Sequence, residues 1–279
     1  MKELWVPLSG AIAQQRKVET IANNVANANT PGFKKDEVTF REYLTALDKG
    51  VEDIDIPNKE FAPEDFYRSQ GAEHSKVEAD GNYTIFEQGQ LRPTKNPLDV
   101  GLFGKGFLEV LTPNGIRYTR RGMLSLDNQG HLVTDQGFKV LSKLDLPPDL
   151  NTNVNAVNTL PKPEERFIKA NGGNISINLQ GEIFTGNIKV GEMSVREFKD
   201  IHALRKEGSS LFINKDLNNI SNTPLKTAIH QGYVEQSNVN AIQEMSELIK
   251  AHRHFESIQN VIKTYDNISS KGVNEISKF

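Results

Sequence analysis

The chain has 279 residues, enough for one large or two modest domains with a sizeable core. Its 33 basic and 36 acidic residues are interspersed, so nothing in the charge balance favours nucleic acid or an anionic membrane surface. There is no cysteine, which excludes a disulfide framework, thiolate metal ligands and thiol nucleophiles, and the 37% apolar content predicts a surface-rich molecule with long polar loops.

From Leu4, apolar side chains recur at Leu8, Ala11, Val18, Ala22 and Val25, with Gln15 at the one polar step and Ile12 and Ile21 alongside. This four-three spacing keeps them on one helical face. The helix is expected to start near Pro7, whose missing N–H is harmless in a first turn, and to run into an Asn-rich segment. Leu4–Ala13 also looks like a short signal region. A single Lys followed at once by Glu3, with Pro7, Ser9 and Gly10 breaking the apolar run, argues against cleavage. No stretch approaches the roughly 20 apolar residues of a membrane-spanning helix.

Asn23, Asn24, Asn27 and Asn29 are poor helix filler, because short amides compete for backbone hydrogen bonds and so suit a helix end. Thr30 before Pro31 is pushed towards an extended conformation, Pro31–Gly32 makes a turn, and Phe33 can fold back as a hydrophobic lock. On the residues alone, an ordinary solvated loop is the alternative. Residues 1–33 thus read as a helix and turn, and 34–76 as an extended arm or short helix followed by a polar linker over 48–65.

A different grammar fills residues 77–224: short segments rich in β-branched and aromatic residues, separated by Gly, Asn, Asp and Pro. Asn114–Gly115 and Asn128–Gln129–Gly130 are hairpin-type turns. This is an all-β region of one or two subdomains meeting near 145–165. Residues 225–279 return to helix, where Ile242, Met245, Leu248, Ile249, Phe255, Ile258, Ile262, Tyr265 and Ile268 form an apolar face. The opposite side is expected to carry Glu244, Glu247, Lys250, Arg253 and Lys263. The fold class is therefore a mainly β centre flanked by N- and C-terminal α-helices. Neither helix can bury its face alone, so they read as an antiparallel pair or as helices offered to neighbouring subunits.

Catalysis finds little footing. The six histidines form no HExxH pair, there is no G-x-S-x-G elbow, and Glu78 with Asp80 and Glu164 with Glu165 read as solvated acids. Gly101–Gly106 lacks P-loop spacing. We expect no enzyme activity, no cofactor or metal, and no small-molecule substrate.

Several blocks carry a family resemblance. Residues 23–34, Asn-Asn-Val-Ala-Asn-Ala-Asn-Thr-Pro-Gly-Phe-Lys, preceded by Leu4–Trp5, resemble the N-terminal signature of bacterial flagellar rod and hook proteins. Leu98–Asp99–Val100 with Gly106–Phe107, then Tyr118–Thr119–Arg120–Arg121–Gly122, and Gln231–Gly232–Tyr233–Val234–Glu235–Gln236–Ser237–Asn238 continue it in order. The resemblance implies terminal helices forming the inner axial layer of a rod that transmits torque around an export channel. It also implies export by the flagellar type III apparatus without a cleavable signal, a periplasmic basal-body location, and partners that are other rod proteins and further copies of itself. Gly101 departs from the pattern, standing where a small alkyl residue is usual. The tail 271–276 looks closer to the proximal rod type, FlgF, which we expect, and the Leu-Trp start to the distal type, FlgG. From a different class, the alternative is a soluble β-rich carbohydrate-binding or carbohydrate-active protein.

Overall fold

A computed structural model describes residues 5–44, 75–143, 162–170, 174–208, 210–221, 223 and 226–276. A mostly β central domain is flanked by an N-terminal helix, α1 (Trp5–Ala26), and a C-terminal helix, α2 (Ala241–Ile276), which pack together. Contacts sort the chain into two units. One holds Met1–Val25, Asp36–Tyr83 and Ala241–Phe279; the other holds Ala26–Lys35 and Thr84–Asn240.

In the helical unit, Asn24 Nδ2 donates to Glu244 Oε2 at 3.3 Å, and a Cβ on Gly10 would lie 3.9 Å from Ile258 Cδ1. The two contacts run in opposite directions along the helices, so the pair is antiparallel. The same Asn24 amide donates to Asp36 O at 2.8 Å and accepts from Asp36 N at 3.0 Å. One buried side chain thereby serves the start of a strand and the partner helix together. That strand, β1 (Asp36–Leu44), pairs with β2 (Ser75–Thr84) in a two-stranded sheet, where the sequence suggested an extended arm or short helix. The linker expected over 48–65 lies outside the described residues.

The β unit centres on β5 (Phe107–Thr112) and β6 (Gly115–Thr119), joined at Asn114–Gly115, where Gly115 takes φ 101°. Around them the described residues form a sheet in the order β14 (Arg205–Glu207), β15 (Leu211–Ile213), β6, β5, β9 (Lys139–Val140), β8 (Leu132–Thr134), β7 (Leu124–Leu126), with β13 (Val195–Arg196) also on β5. A second sheet is β10 (Ile175–Ile177), β11 (Glu182–Thr185) and β12 (Ile188–Glu192). Before α2, the segment expected to be helical instead supplies β16 (Ala228–Gln231), paired with β4 (Val100–Phe103), and β17 (Tyr233–Glu235), paired with β3 (Leu91–Pro93). Three short 3₁₀ turns, at Pro163–Arg166, Ile201–Ala203 and Leu217–Asn219, were also absent from the sequence reading.

Strand β5 is covered on both faces, which is why Phe107–Val110 reads as a nearly unbroken apolar run. Leu108 and Val110 enter the main core with Val100, Leu102, Val140 and Met193. Phe107 enters a second cluster with Tyr118, Leu204 and Phe212, where Phe107 and Phe212 meet edge to face at 5.4 Å. Tyr118 lies at 4.9 Å, edge on, from Phe198. Burial, aided by the charge of Glu109, pushes the Tyr118 hydroxyl up to about 12. A raised pKa means the folded state holds this proton longer, so its contribution to stability is intact below about 10 and lost as pH climbs towards 12. A tyrosinate absorbance titration should show one late step that Tyr118→Phe removes; a Tyr118 ionising with the exposed tyrosines contradicts this.

Candidate assembly surface

The α1–α2 seam follows a four-three spacing and takes in part of the apolar stripe on both helices. Buried or half-buried positions on α2 fall at Glu244, Leu248, Ala251, Phe255, Ile258 and Ile262. On α1 they include Gly10, Ala11, Ala13, Gln14, Lys17, Val18, Ile21, Asn24 and Val25. Small and polar residues join the apolar ones on α1: Gly10 lies where the helices approach, and Asn24 answers the buried Glu244 carboxylate. Glu244, expected on the solvent side of its helix, is 3% exposed.

Of the residues picked out from the sequence, Leu4 lies outside the described residues. Val18, Val25, Leu248, Phe255 and Ile262 are half-buried, whereas Leu8, Ile12 and Met245 are exposed. The exposed ones belong to wider apolar patches. Ile242, Met245 and Ile249 lie on one flank of the α2 seam; Val261, Tyr265 and Ile268 lie on the other, about 100° away from the seam by helix geometry. Leu8 and Ile12, one turn apart, add an exposed apolar pair on α1, and Val6 is exposed on a different side of that helix. Extrapolating the antiparallel register, α2 runs past the described start of α1 by roughly 20 Å.

The turn motif sits in the β unit. Thr30 Oγ1 donates to Asn27 Oδ1 at 3.1 Å, Gly32 N donates to Glu235 O at 2.8 Å, and Phe33 is 3% exposed beneath the Lys206 ammonium, 3.8 Å from its ring centroid. Gly32 has φ 69°, and a Cβ there would come within 2.5 Å of Arg120 C, so both conformation and space demand glycine. Pro31 sits half-buried before it, while Asn23 is on the exposed side of α1. In the β motif, Asp99 accepts from Asn96 at 2.9 Å, Val100 and Phe107 are buried, and Leu98 packs on the main core. Gly106 N donates to Thr227 Oγ1 at 2.8 Å. At the departing position Gly101, a Cβ would lie 2.9 Å from Leu91 Cδ2 and 3.1 Å from Tyr233 Cβ, so those two side chains occupy the room an alkyl group would need.

Buried charge was missed from sequence. Glu109 accepts from Arg166 at 2.8 and 3.1 Å, with Ser194 and Arg196 alongside. Burial alone would raise its pKa; the bonds and charge of Arg166 outweigh that and hold the carboxyl below its usual range. The available signal was a lone Glu inside the apolar run Phe107–Leu111. Among the described residues, no group of three His, Asp or Glu is placed to hold a metal, and no helix is long and apolar enough to cross a membrane.

Three family descriptions match along the chain: flagella basal body rod protein over residues 6–34, flagellar hook protein FlgE/F/G D1 domain over 102–185, and flagellar basal body rod FlgEFG protein C-terminal over 230–275. The flagellar basal-body rod protein FlgG of Buchnera aphidicola subsp. Schizaphis graminum is 31% identical over 96% of this chain and 97% of its own length. FlgG of Borreliella burgdorferi is 32% identical, with 96% of each chain covered. The flagellar hook-basal body complex protein FlhO of Bacillus subtilis is 29% identical over 100% of this chain and 99% of its own. Two of these three carry the name FlgG, and the similarity makes no clear case for the FlgF type that the tail suggested. With similarity running the whole length and family matches at both ends and in the middle, the chain belongs to the flagellar basal-body rod protein family, which is structural and non-catalytic.

Proposed function

We propose that this protein is a rod subunit of the FlgG, distal type, which polymerises through the outward faces of α1 and α2 into the shaft that transmits torque and encloses the export channel. The observation that carries this reading is the full-length similarity to FlgG proteins, ends included. The physical support is the row of exposed apolar side chains on a helix pair whose seam is already filled: Ile12 is 54% exposed, Ile249 56% and Ile242 81%. Such faces favour burial against like faces, at about 25 cal/mol per Å² of apolar surface covered. Its partners are copies of itself, adjoining rod proteins and the flagellar type III exporter. It crosses to the periplasm uncleaved, since a cut after Ala13 would strip the buried Ala11 and Ala13 and the Gly10 contact from α1.

The tail Lys271–Ile276, which resembles the proximal rod type, favours a second reading, a component present in few copies between other rod proteins. Labelling the protein in isolated basal bodies separates the two. A long run of label along the distal shaft is expected; a single narrow band near the membrane end would replace the distal assignment with the proximal one.

A further inference from the structure

The segment Ala26–Lys35 crosses the β unit as a strap, and a buried ion cluster holds its end. Lys34 and Glu235 are 0% exposed at their side chains and Arg120 is 2% exposed. Glu235 Oε1 accepts from Lys34 Nζ at 2.7 Å and from Gly89 N at 2.9 Å, and its Oε2 accepts from Arg120 Nη1 at 3.1 Å. Lys34 Nζ also donates to Glu87 O at 2.6 Å, and Arg120 Nη2 to Gly104 O at 2.6 Å. Two buried cations therefore share one carboxylate. Glu87 and Glu197 act on them only at longer range, and among the described residues Arg120 Nε has no hydrogen-bond partner. Burial draws the Lys34 ammonium below its ordinary value; Glu235 opposes that shift and Arg120 adds to it.

Docking the strap carries the Lys34 cation out of water and up to the Arg120 cation. Without an anion between them, both desolvation and repulsion oppose that step. The anion arrives from residue 235, at the far side of the chain, on the strand that also receives Gly32 N. We propose that Glu235 is an electrostatic latch: the strap Ala26–Lys35 closes on the β unit only when β17 has delivered this carboxylate between Lys34 and Arg120. Closure thus reports that the β unit has been completed through its last strand. The inference concerns the β unit alone and does not depend on where in a rod the protein sits.

Amide hydrogen exchange on the full-length chain tests it, with Gly32 N, bonded to Glu235 O, and Lys35 N, bonded to Asn238 Oδ1 at 2.8 Å, as reporters. Glu235→Gln keeps an acceptor but removes the charge. It should lower strap protection at least about a hundredfold, because an uncompensated buried charge is left behind, while β5, β6 and β15 stay protected. Lys34→Met leaves Arg120 and Glu235 as a one-to-one pair, so strap protection should fall less than about tenfold. Lys34→Met combined with Glu235→Gln should regain at least about tenfold over Glu235→Gln alone. A strap still protected in Glu235→Gln, equal losses in the two single variants, no recovery in the double, or a loss spread evenly over β5, β6 and β15 would each overturn the latch.

Discussion

Replacing Glu109 by alanine is expected to remove about 3–5 kcal/mol from the stability of the β unit, since it takes the carboxylate away from the buried Arg166 guanidinium. Arg166 donates twice to Glu109 and twice to Ser142 O, so its guanidinium cannot swing out to water without undoing the link between β5 and the 3₁₀ turn that carries it. A contrasting site is the pair of Arg117 with Glu207, whose carboxylate side chain is 45% exposed. Breaking it should cost less than about 1 kcal/mol. The Glu109 carboxyl has its pKa depressed by folding, so its contribution is complete above the ordinary carboxylate range near 4.5 and fades as pH falls through the lower folded value. Urea melts at neutral and acid pH measure both effects, and a Glu109→Ala protein within about 1 kcal/mol of the parent would show that the cluster is not the charge centre described.

Ile249→Glu is expected to abolish incorporation into rods while changing the melt of the monomer by no more than about 0.5 kcal/mol, as usual for an exposed position. In an assembled rod the same residue repeats at each subunit contact, and a buried unpaired carboxylate there is far costlier than the apolar contact it replaces. Phe255→Ala acts differently. Phe255 is half-buried in the α1–α2 seam, so it should loosen the helix pair by roughly 2 kcal/mol before any assembly step, with the β-unit melt unchanged. Motility and basal-body yield, paired with calorimetry of each purified variant, distinguish the two. Normal rods built from Ile249→Glu protein would refute an assembly role for that face.

Both terminal helices were legible because a four-three spacing survives in any environment, and so was the β middle, where Asn114–Gly115 and Asn128–Gly130 punctuate short strands. The small and polar members of the seam were not. Of the residues hydrophobicity picks on α1, Val18 and Val25 are half-buried and Leu8 and Ile12 exposed, while the close approach of two helices selects Gly10 and a buried acid selects Asn24; neither of these two carries an apolar signature. Strands β16 and β17 escaped for another reason. They are three or four residues long and exist through partners more than 120 residues earlier, so no local period announces them. The buried charges escaped likewise: Lys34, Arg120 and Glu235 each sit in a recognisable block, but their meeting is a property of the folded chain.

The placement of Asn24 and Asn238 has a kinetic consequence. Asn24 and Glu244 are 220 residues apart, so closing α1 on α2 directly from an open chain means closing one of the longest loops available to it. If the β unit forms first, Asn238 holds Lys35 at 2.8 Å, and the chain still to be closed shrinks to about 17 residues. The entropic cost scales with the logarithm of loop length, and the difference between these two loops is roughly 2 kcal/mol. Helix pairing therefore becomes a nearly local event that waits on a distant one. Refolding should be ordered, with tyrosine and phenylalanine signals of the β unit settling before the helical signal of α1 and α2 is complete.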